Sequence, residues 1–367
     1  MNTPSASGLD SVVVAETALS DVDGERGRLI IRGYAVEELV ERATFEDVCV
    51  LMWNGALPSS DERETIRASL AEAREYAFSI LPTIGSALVT PDSMEALRTA
   101  VGHLRSGDLT RDRVRLTGAM PVFAAAWARG RAEQSPVRPQ PRLSHAADCL
   151  QMLNGTAPQP ARVRALDAYL CCVVDHGMNA STFTSRVVAS TGSDLVSAIV
   201  AAIGALKGPL HGGAPGPVLD MFDAVGRAER ARAWLDSELA AGRRIMGMGH
   251  RVYHVRDPRA AALEAATSAL ERSGVAADRL TLARAIEREA ERLLAERHPE
   301  RRLRANVEFY TAVLLDAVGI PRTLFSPMFA ASRVVGWCAH VDEQRRVGRL
   351  IRPASRYVGP VPTQTKP

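Results

Sequence analysis

The spacing of apolar residues is the feature that most restricts how this chain can fold. From about Val36 onward, apolar residues recur almost everywhere with the period of a helix, because positions three and four apart share one helix face. Residues that cap helices or occupy their first turn stand at the expected boundaries: Thr44, Ser60, Pro91, Asp92, Asp257 and Pro258. The pattern therefore predicts an all-α protein.

The one convincing sheet signal precedes this helical region. In residues 11–34, two runs rich in β-branched residues flank Asp23-Gly24, a pair that is typical of a hairpin turn. The sequence therefore predicts a small N-terminal β-hairpin that leads into the helices.

Changes in composition along the chain predict a second, smaller domain. The length of 367 residues and the 46% hydrophobic content suit one large domain or two unequal ones. Residues 257–304 have the pattern of charge-rich amphipathic helices, whereas residues 305–340 return to apolar, small-residue packing. Residues 131–143 contain three prolines and predict an exposed connector, and residues 357–367 form a polar tail.

The charge and the apolar segments exclude several classes of protein. A net charge of +3 is too small to indicate binding to nucleic acid or an anionic membrane, so a small, locally recognised anion fits better. The most apolar segment, residues 187–206, is interrupted by polar residues and predicts a buried helix rather than a membrane span. The N-terminus resembles neither a secretory signal nor a transit peptide, so we expect a cytoplasmic protein.

The cysteines predict no disulfide framework. They are odd in number, lack a C-x-x-C pair and lie mostly in apolar helical patterns. We therefore expect buried, reduced thiols at all five positions: Cys49, Cys149, Cys171, Cys172 and Cys338.

Two histidines lie in glycine-rich contexts that suit chemistry on a bound ligand. His211, in PLHGGAP just before a predicted helix, can lie at a helix N-terminus, which would keep the ring neutral and able to polarise a carbonyl. His250 follows Gly247-Met248-Gly249, and Arg251, Arg256 and Arg259 supply cations for an acidic ligand. Each histidine alone is equally compatible with a structural imidazole.

Three charged residues stand in apolar company. Glu308 lies in the helical pattern NVEFYTAVLLDAV, where a buried carboxylate is costly unless it is hydrogen-bonded or used as a base. It is also compatible with a charge that stabilises a helix N-terminus. Arg333 and Arg352 are candidate carboxylate ligands or structural ion-pair partners.

His250 and His254 have the spacing of zinc ligands, but no third ligand follows, so no metal is predicted.

Six segments together resemble the citrate synthase family in order and spacing. The resemblance spans nearly the whole chain and is closest to the short bacterial and archaeal branch, which includes 2-methylcitrate synthases. The segments are GLDSVVVAETALSDVDGERGRLIIRGY, VDHGMNASTFTSRVVAST, KGPLHGGAP, GMGHRVYHVRDPRA, NVEFYTAVLLDAVGIP and LIRPASRYVGP.

The resemblance implies a multihelical two-domain fold and a homodimer. Residues 1–211 and 315–367 would form the large dimerisation domain, and residues 212–314 a small domain that closes over the substrates. The substrates would be oxaloacetate and acetyl-CoA. No cofactor is implied, because acetyl-CoA is itself a substrate.

The resemblance also implies catalytic roles. His211 would donate a hydrogen bond to the thioester oxygen of acetyl-CoA, and Glu308 would remove a proton from its methyl group. His250 would polarise the ketone of oxaloacetate. These roles agree with the need of enolisation for a positioned base and a preorganised donor acting together.

The family motifs further imply which residues bind the substrates. His176, Arg259, Arg333 and Arg352 match positions that hold the substrate carboxylates, with Arg352 reaching across from the partner subunit. For CoA, the residues that match are Gly247, Met248, Gly249 and Arg301.

One position departs from the commonest family motif, which has Asp where this chain has Glu308. The extra methylene moves the carboxylate by roughly one bond length, which is enough to misplace a base. The resemblance therefore leaves three activities open: citrate synthase, 2-methylcitrate synthase acting on propionyl-CoA, and a catalytically weak relative that binds citrate or CoA.

Overall fold

A computed structural model describes residues 7–9, 12–212, 215–275 and 278–360. Helices predominate, as the sequence predicts. The strands are β1 (Ser20–Asp23), β2 (Arg28–Ile31) and β3 (Tyr34–Ala35). The first eight α-helices are α1 (Val36–Arg42), α2 (Phe45–Asn54), α3 (Ser60–Ser79), α4 (Leu81–Ile84), α5 (Ser93–Val101), α6 (Leu109–Arg131), α7 (His145–Asn154) and α8 (Pro160–Cys172). The remaining eight are α9 (Ala180–Ser190), α10 (Leu195–Leu206), α11 (Pro215–Val225), α12 (Ala231–Ala240), α13 (Pro258–Arg272), α14 (Asp278–Arg297), α15 (Val307–Val318) and α16 (Phe325–Val347).

The predicted hairpin is confirmed. Strands β1 and β2 pair antiparallel, from Ser20 opposite Ile31 to Asp23 opposite Arg28, and the short strand β3 extends the sheet to three strands. The turn packs against the segment that follows His250, since the N–H of His254 donates to the carbonyl of Gly24 at 3.0 Å. A Cβ at Gly24 would lie 2.1 Å from the carbonyl oxygen of Val252, so only glycine allows this approach.

Helix α16 runs through the middle of the core. It is buried along most of its length and packs against α2, α6, α8, α9 and α10. Because its inner face is apolar, the polar residues that it does bury, which include Arg333, must find partners on the neighbouring helices or on a ligand.

The sequence predicted one buried helix over residues 187–206, and this prediction is wrong because the structure has two helices there. The segment contains the end of α9 and the whole of α10, separated by a turn in which Gly192 has a φ of 82°. Asp194 then caps α10 by accepting from the N–H of Ser197 at 2.9 Å, so the polar residues that interrupt the apolar run end one helix and begin the next. Across the described residues, no helix is long and apolar enough to cross a membrane.

Five of the six predicted boundary residues are confirmed: Thr44, Asp92 and Asp257 are N-caps, while Ser60 and Pro258 are the first residues of their helices. Pro91 is neither, since it precedes the N-cap of α5. Residues 361–367 of the predicted polar tail lie outside the described residues. The segment 131–143 is a mostly exposed connector between α6 and α7. All five cysteines are buried and form no disulfide within the described ranges.

Candidate active site

Six residues singled out from the sequence come together where α8, α13 and α15 pack against one another and α16 packs against α8. They are His176, His211, His250, Arg259, Glu308 and Arg333. The ring centroids of His176 and His250 lie 5.5 Å apart. The charge of Arg333 acts on His176, His211 and Glu308.

The glycine-rich loop before His250 is fixed to the start of α15. Gly247 and Gly249 both have positive φ angles, and Met248 forms an isolated β-bridge with Ala305. The N–H of Gly249 donates to the carbonyl of Arg304 at 2.7 Å. This pairing sets the distance between the imidazole of His250 and the first turn of α15, which carries Glu308.

The imidazole of His250 presents a hydrogen-bond donor. Its Nδ1 accepts from the backbone N–H groups of Val252 at 2.9 Å and Tyr253 at 3.1 Å, so the proton of the neutral ring is on Nε2. Burial and the charge of Arg259 lower the pKa of His250 to about 4. Nη2 of Arg259 lies 3.5 Å from Nε2, and two donors that converge in this way suit an oxygen atom of a ligand.

Arg259 is held in place by Asp257, two residues earlier. The guanidinium donates to both carboxylate oxygens of Asp257, at 3.0 and 2.8 Å. Asp257 also accepts from the N–H of Val307 at 3.1 Å, so one carboxylate joins the start of α13 to the start of α15. The sequence predicted Asp257 only as a helix cap, because its contacts with the guanidinium of Arg259 and the N–H of Val307 cannot be inferred from local spacing.

His211 lies in a turn after α10. A helix does begin shortly after it, at Pro215, but the ring contacts the N-terminus of α9, which the sequence did not predict. The N–H of Ser181 donates to Nε2 of His211 at 3.3 Å, and Oγ of Ser181 lies 2.8 Å from the same nitrogen. Burial and the charge of Arg333 lower the pKa of His211 to about 4. The ring is therefore neutral, with Nδ1 as its donor.

His176 lies in the loop between α8 and α9. Its Nε2 lies 3.2 Å from the hydroxyl of Tyr253. Burial and the charges of Arg259 and Arg333 hold the pKa of His176 well below its usual value. This third imidazole is also neutral, which leaves the two arginines as the cations of the site.

Glu308 lies in the first turn of α15, where Asn306 caps the helix by accepting from its N–H at 3.0 Å. A charge that serves only the helix dipole would face solvent. Instead Oε2 is buried and has no hydrogen-bond partner among the described residues. Burial raises the pKa of Glu308 to about 7 despite the opposing charges of Arg259 and Arg333. A carboxyl group in this state can exchange a proton near neutral pH.

Arg333 is a buried cation with an unused donor. Its Nε donates to the carbonyl of Val173 at 2.7 Å, and its guanidinium lies over the ring of Phe329 at 4.5 Å. Its Nη2 is buried and finds no acceptor in the part of the chain that is described. Burial lowers the pKa of Arg333 to about 10. An unpaired, desolvated guanidinium of this kind is suited to an anionic ligand.

Other sequence candidates lie elsewhere. Arg352 and Arg301 are exposed, and their side chains make no hydrogen bond or ion pair within the described ranges. Arg256 is not a free cation for a ligand, since it pairs with Glu264 and Glu287 at 2.8 and 2.7 Å. His254 faces Glu25 on the hairpin, at 3.4 Å.

The site therefore combines neutral imidazole donors, two guanidinium groups and a carboxyl group that titrates near pH 7. Such a set suits an enzyme that binds a small carboxylate, polarises a carbonyl group and removes a proton from carbon.

Comparison with known proteins places the chain in one family. Residues 8–354 match the family described as citrate synthase, C-terminal domain. The citrate synthase of Haloferax volcanii is 40% identical, over 96% of this chain and 95% of that protein. The chain belongs to the citrate synthase family, and its enzyme class is that of the citrate synthases, which are acyltransferases.

Solved structures agree with this assignment over nearly the whole chain. Citrate synthase from Pyrobaculum aerophilum has a TM-score of 0.86 at 35% identity, covering 98% of this chain and 94% of that chain. The ternary complex of citrate synthase from Thermoplasma acidophilum with carboxymethyl coenzyme A and oxaloacetate has a TM-score of 0.86 at 28% identity, with 98% of each chain covered.

Proposed function

We propose that this chain condenses acetyl-CoA with oxaloacetate and water to give citrate and CoA, with Glu308 as the base. The proposal depends on the buried carboxyl group of Glu308, whose Oε2 has no hydrogen-bond partner among the described residues. Burial raises the pKa of Glu308 to about 7, and neutral histidine donors lie in the same site. Methyl protons of a thioester are weakly acidic, so their removal needs both a base and stabilisation of the enolate oxygen.

Oxaloacetate would be held by the cations of the site. The free Nη2 of Arg333 and the clamped guanidinium of Arg259 are the groups that we assign to its carboxylates, with His176 beside them. The Nε2–H of His250 would donate to the ketone oxygen. The ternary complex of the Thermoplasma acidophilum relative contains oxaloacetate, which supports the same ligand here.

Acetyl-CoA would react between Glu308 and His211. Glu308 takes a methyl proton while the Nδ1–H of His211 donates to the thioester oxygen, so the electron pair of the C–H bond becomes that of an enolate. The enolate carbon forms a bond to the ketone carbon, and the resulting alkoxide takes the Nε2 proton of His250, which solvent then restores. Water attacks the carbonyl carbon of the thioester, the C–S bond breaks to release CoA and citrate, and Glu308 returns its proton to solvent.

The assignments for CoA and for domain closure complete the proposal. We assign the loop Gly247, Met248 and Gly249 to CoA, together with Arg301. The loop pairs with Ala305, just before α15, and Arg301 is exposed a few residues before that helix. The division into residues 1–211 with 315–367 and residues 212–314 would allow the smaller part to close over both substrates and exclude water.

The choice of acyl group is tested by comparing two thioesters. We expect acetyl-CoA to give a much larger kcat/KM for thiol release with oxaloacetate than propionyl-CoA, and mass spectrometry to identify citrate. An apolar pocket discriminates one methylene by only about 1 to 3 kcal/mol, so both rates are measurable. A preference for propionyl-CoA would assign 2-methylcitrate synthase activity instead.

Glu308 should control the pH dependence of the reaction. Its pKa of about 7 means that the base is protonated in acid, so kcat/KM should fall about tenfold per pH unit below pH 7. His211 and His250 have pKa values of about 4 and should not titrate between pH 5.5 and 8. A profile that is flat from pH 5.5 to 8 would exclude Glu308 as the base.

Arg352 should act on the site of the partner subunit in a homodimer. We expect Glu308→Gln and Arg352→Ala each to be nearly inactive as pure proteins. Co-refolding them should restore about a quarter of the wild-type sites, because half of the dimers are mixed and each mixed dimer has one intact site. Co-refolding two separately prepared batches of Arg352→Ala is the control, and no recovery in the mixture would place Arg352 outside the partner's site.

A further inference from the structure

A buried polar network lies behind the loop that carries His176. In the order of their contacts, its four side chains are Asp175, His340, Arg186 and Glu343. They lie on α9, on α16 and in the loop between α8 and α9, and each has at most 8% of its surface exposed. The mechanism proposed above does not use them.

The side chain of Asp175 holds the backbone directly after His176. Its Oδ2 accepts from the N–H of Gly177 at 3.1 Å and from Oγ of Ser20 at 2.5 Å. Gly177 has a φ of 58°, so this loop turns sharply directly after the histidine. The carboxylate of Asp175 therefore replaces the regular hydrogen bonds that a helix would supply at this point.

Helix α16 presses against the same loop. A Cβ at Gly336 would lie 2.4 Å from the carbonyl oxygen of Val174 and 2.9 Å from Oδ1 of Asp175. The helix backbone is thus in contact with the loop, and His340, one turn further along, reaches Oδ1 of Asp175 with its Nε2 at 3.2 Å.

The middle of the network has a defined arrangement of protons. Nη1 of Arg186 lies 3.1 Å from Nδ1 of His340, and because a guanidinium can only donate, Nδ1 accepts. The proton of the ring is then on Nε2, which donates to Asp175. Burial alone would raise the pKa of Asp175, but His340 and Arg333 lower it to about 2, so the carboxylate remains charged.

The far end of the network binds the N-terminal segment. Arg186 donates to Oε2 of Glu343 at 2.6 Å. Oε1 of Glu343 accepts from the N–H of Ala18 at 3.0 Å and from Oγ1 of Thr17 at 3.2 Å. Residues 17–20 therefore contact both ends of the network, Glu343 through Thr17 and Ala18, and Asp175 through Ser20.

We propose that Asp175 is a positioning residue for His176, and that residues 17–20 complete the oxaloacetate site by bridging Asp175 and Glu343. The inference rests on the proposed function, in which His176 lies against a substrate carboxylate. Among the described residues, the side chain of His176 has one polar contact, with the hydroxyl of Tyr253, and its ring packs edge-on against His250 and Tyr253. The position of the ring relative to these partners depends on the backbone that Asp175 holds.

Ser20→Ala tests the inference with little risk to folding. The substitution removes the hydrogen bond from Oγ to Asp175 and the bond that Oγ accepts from the N–H of Gly177 at 3.1 Å. The N–H of Gly177 keeps its bond to Asp175, and the buried charge stays paired with His340 and Gly177. We expect the KM for oxaloacetate to rise about fivefold, the size of effect expected from one net hydrogen bond. The KM for acetyl-CoA should be unchanged.

Ser185→Ala is the matched control. Oγ of Ser185 is buried in α9 and donates to the carbonyl of Thr182 at 2.7 Å, so its loss should lower the Tm without changing either KM. If Ser20→Ala lowers the Tm but leaves the KM for oxaloacetate within about twofold of wild type, or raises both KM values equally, the network is only structural and the inference is wrong.

A second pair of variants separates this inference from the proposed function. Asp175→Asn should raise the KM for oxaloacetate about a hundredfold, because an amide nitrogen would face the N–H groups of His340 or Gly177. Calorimetric Kd values for oxaloacetate give the same comparison without turnover. A wild type that binds no oxaloacetate would overturn the function and this inference together. Normal wild-type turnover with unchanged oxaloacetate affinity in Ser20→Ala and Asp175→Asn would overturn only this inference.

Discussion

Glu308→Gln is expected to lower kcat about a thousandfold, the loss typical of removing a general base, with little change in the KM for oxaloacetate. Glutamine has nearly the same shape but cannot accept the methyl proton. The measurement is thiol release from acetyl-CoA at saturating oxaloacetate. Glu37→Gln is the matched control, since Glu37 is an exposed glutamate in the first turn of α1.

The same substitution should make the folded protein more stable at high pH. The pKa of Glu308 is raised from 4.5 to about 7 in the fold. Between these pH values the folded chain holds a proton that the unfolded chain has released, so this group lowers stability as the pH rises through that window. Glu308→Gln should therefore raise the Tm by about 2 °C at pH 8 and have little effect at pH 4.

The result that would contradict this account is a kcat within about tenfold of wild type, which is far less than the loss expected for a base. Glu308→Asp adds a further comparison. Its carboxylate is withdrawn by roughly one bond length from a site built around glutamate. If Glu308→Asp keeps a measurable fraction of the activity that glutamine abolishes, a carboxylate at this position is required.

Arg333→Gln is expected to raise the KM for oxaloacetate about a hundredfold or more, because it removes a desolvated donor for a carboxylate. Glutamine can still donate to the carbonyl of Val173, which Nε of Arg333 serves in the wild type. The KM for acetyl-CoA should change little. Isothermal titration with oxaloacetate measures the loss directly.

The ligand-free Arg333→Gln protein should be at least as stable as wild type. Burial lowers the pKa of Arg333 to about 10, so the fold disfavours the cation at every pH below that value. Arg346→Gln is the control on the same helix, since Arg346 is exposed and pairs with Asp342 at 3.2 Å. Normal oxaloacetate affinity in Arg333→Gln would exclude this residue from the substrate site.

Both predictions share one physical basis. Oε2 of Glu308 and Nη2 of Arg333 are buried and find no hydrogen-bond partner in the described part of the chain, and a buried polar atom in this state lowers stability. The two atoms lie on α15 and α16, in the same site. Substrates that supply the missing partners would recover this free energy on binding, which is how a site can be preorganised for its ligand.

The sequence predicted the elements that are specified locally. The β-branched runs around Asp23-Gly24 formed the hairpin, and Asp257-Pro258 began α13. Gly192 and Asp194 also carried a local signal, a positive-φ turn followed by an N-cap, and they separate α9 from α10 where the sequence predicted one helix. Together, Gly192 and Asp194 indicate a helix end followed by a new helix start, which is the arrangement that the structure has.

Other features depend on contacts between distant parts of the chain and could not be predicted from spacing. Ser181 meets His211 across 30 positions, and Asp257 meets the start of α15 across 50. The apolar residues around Glu308 in the sequence identified it as a candidate base. Whether its Oε2 is hydrogen-bonded depends on residues that are distant in the chain, so its raised pKa could not be predicted from the sequence.

Thiol release measured together with product identification shows whether the chain condenses acetyl-CoA with oxaloacetate. The purified wild-type chain should release CoA only when both substrates are present, with one citrate formed for each CoA. Tight binding of oxaloacetate with no release of CoA from either acetyl-CoA or propionyl-CoA would contradict the account and indicate a ligand-binding relative instead.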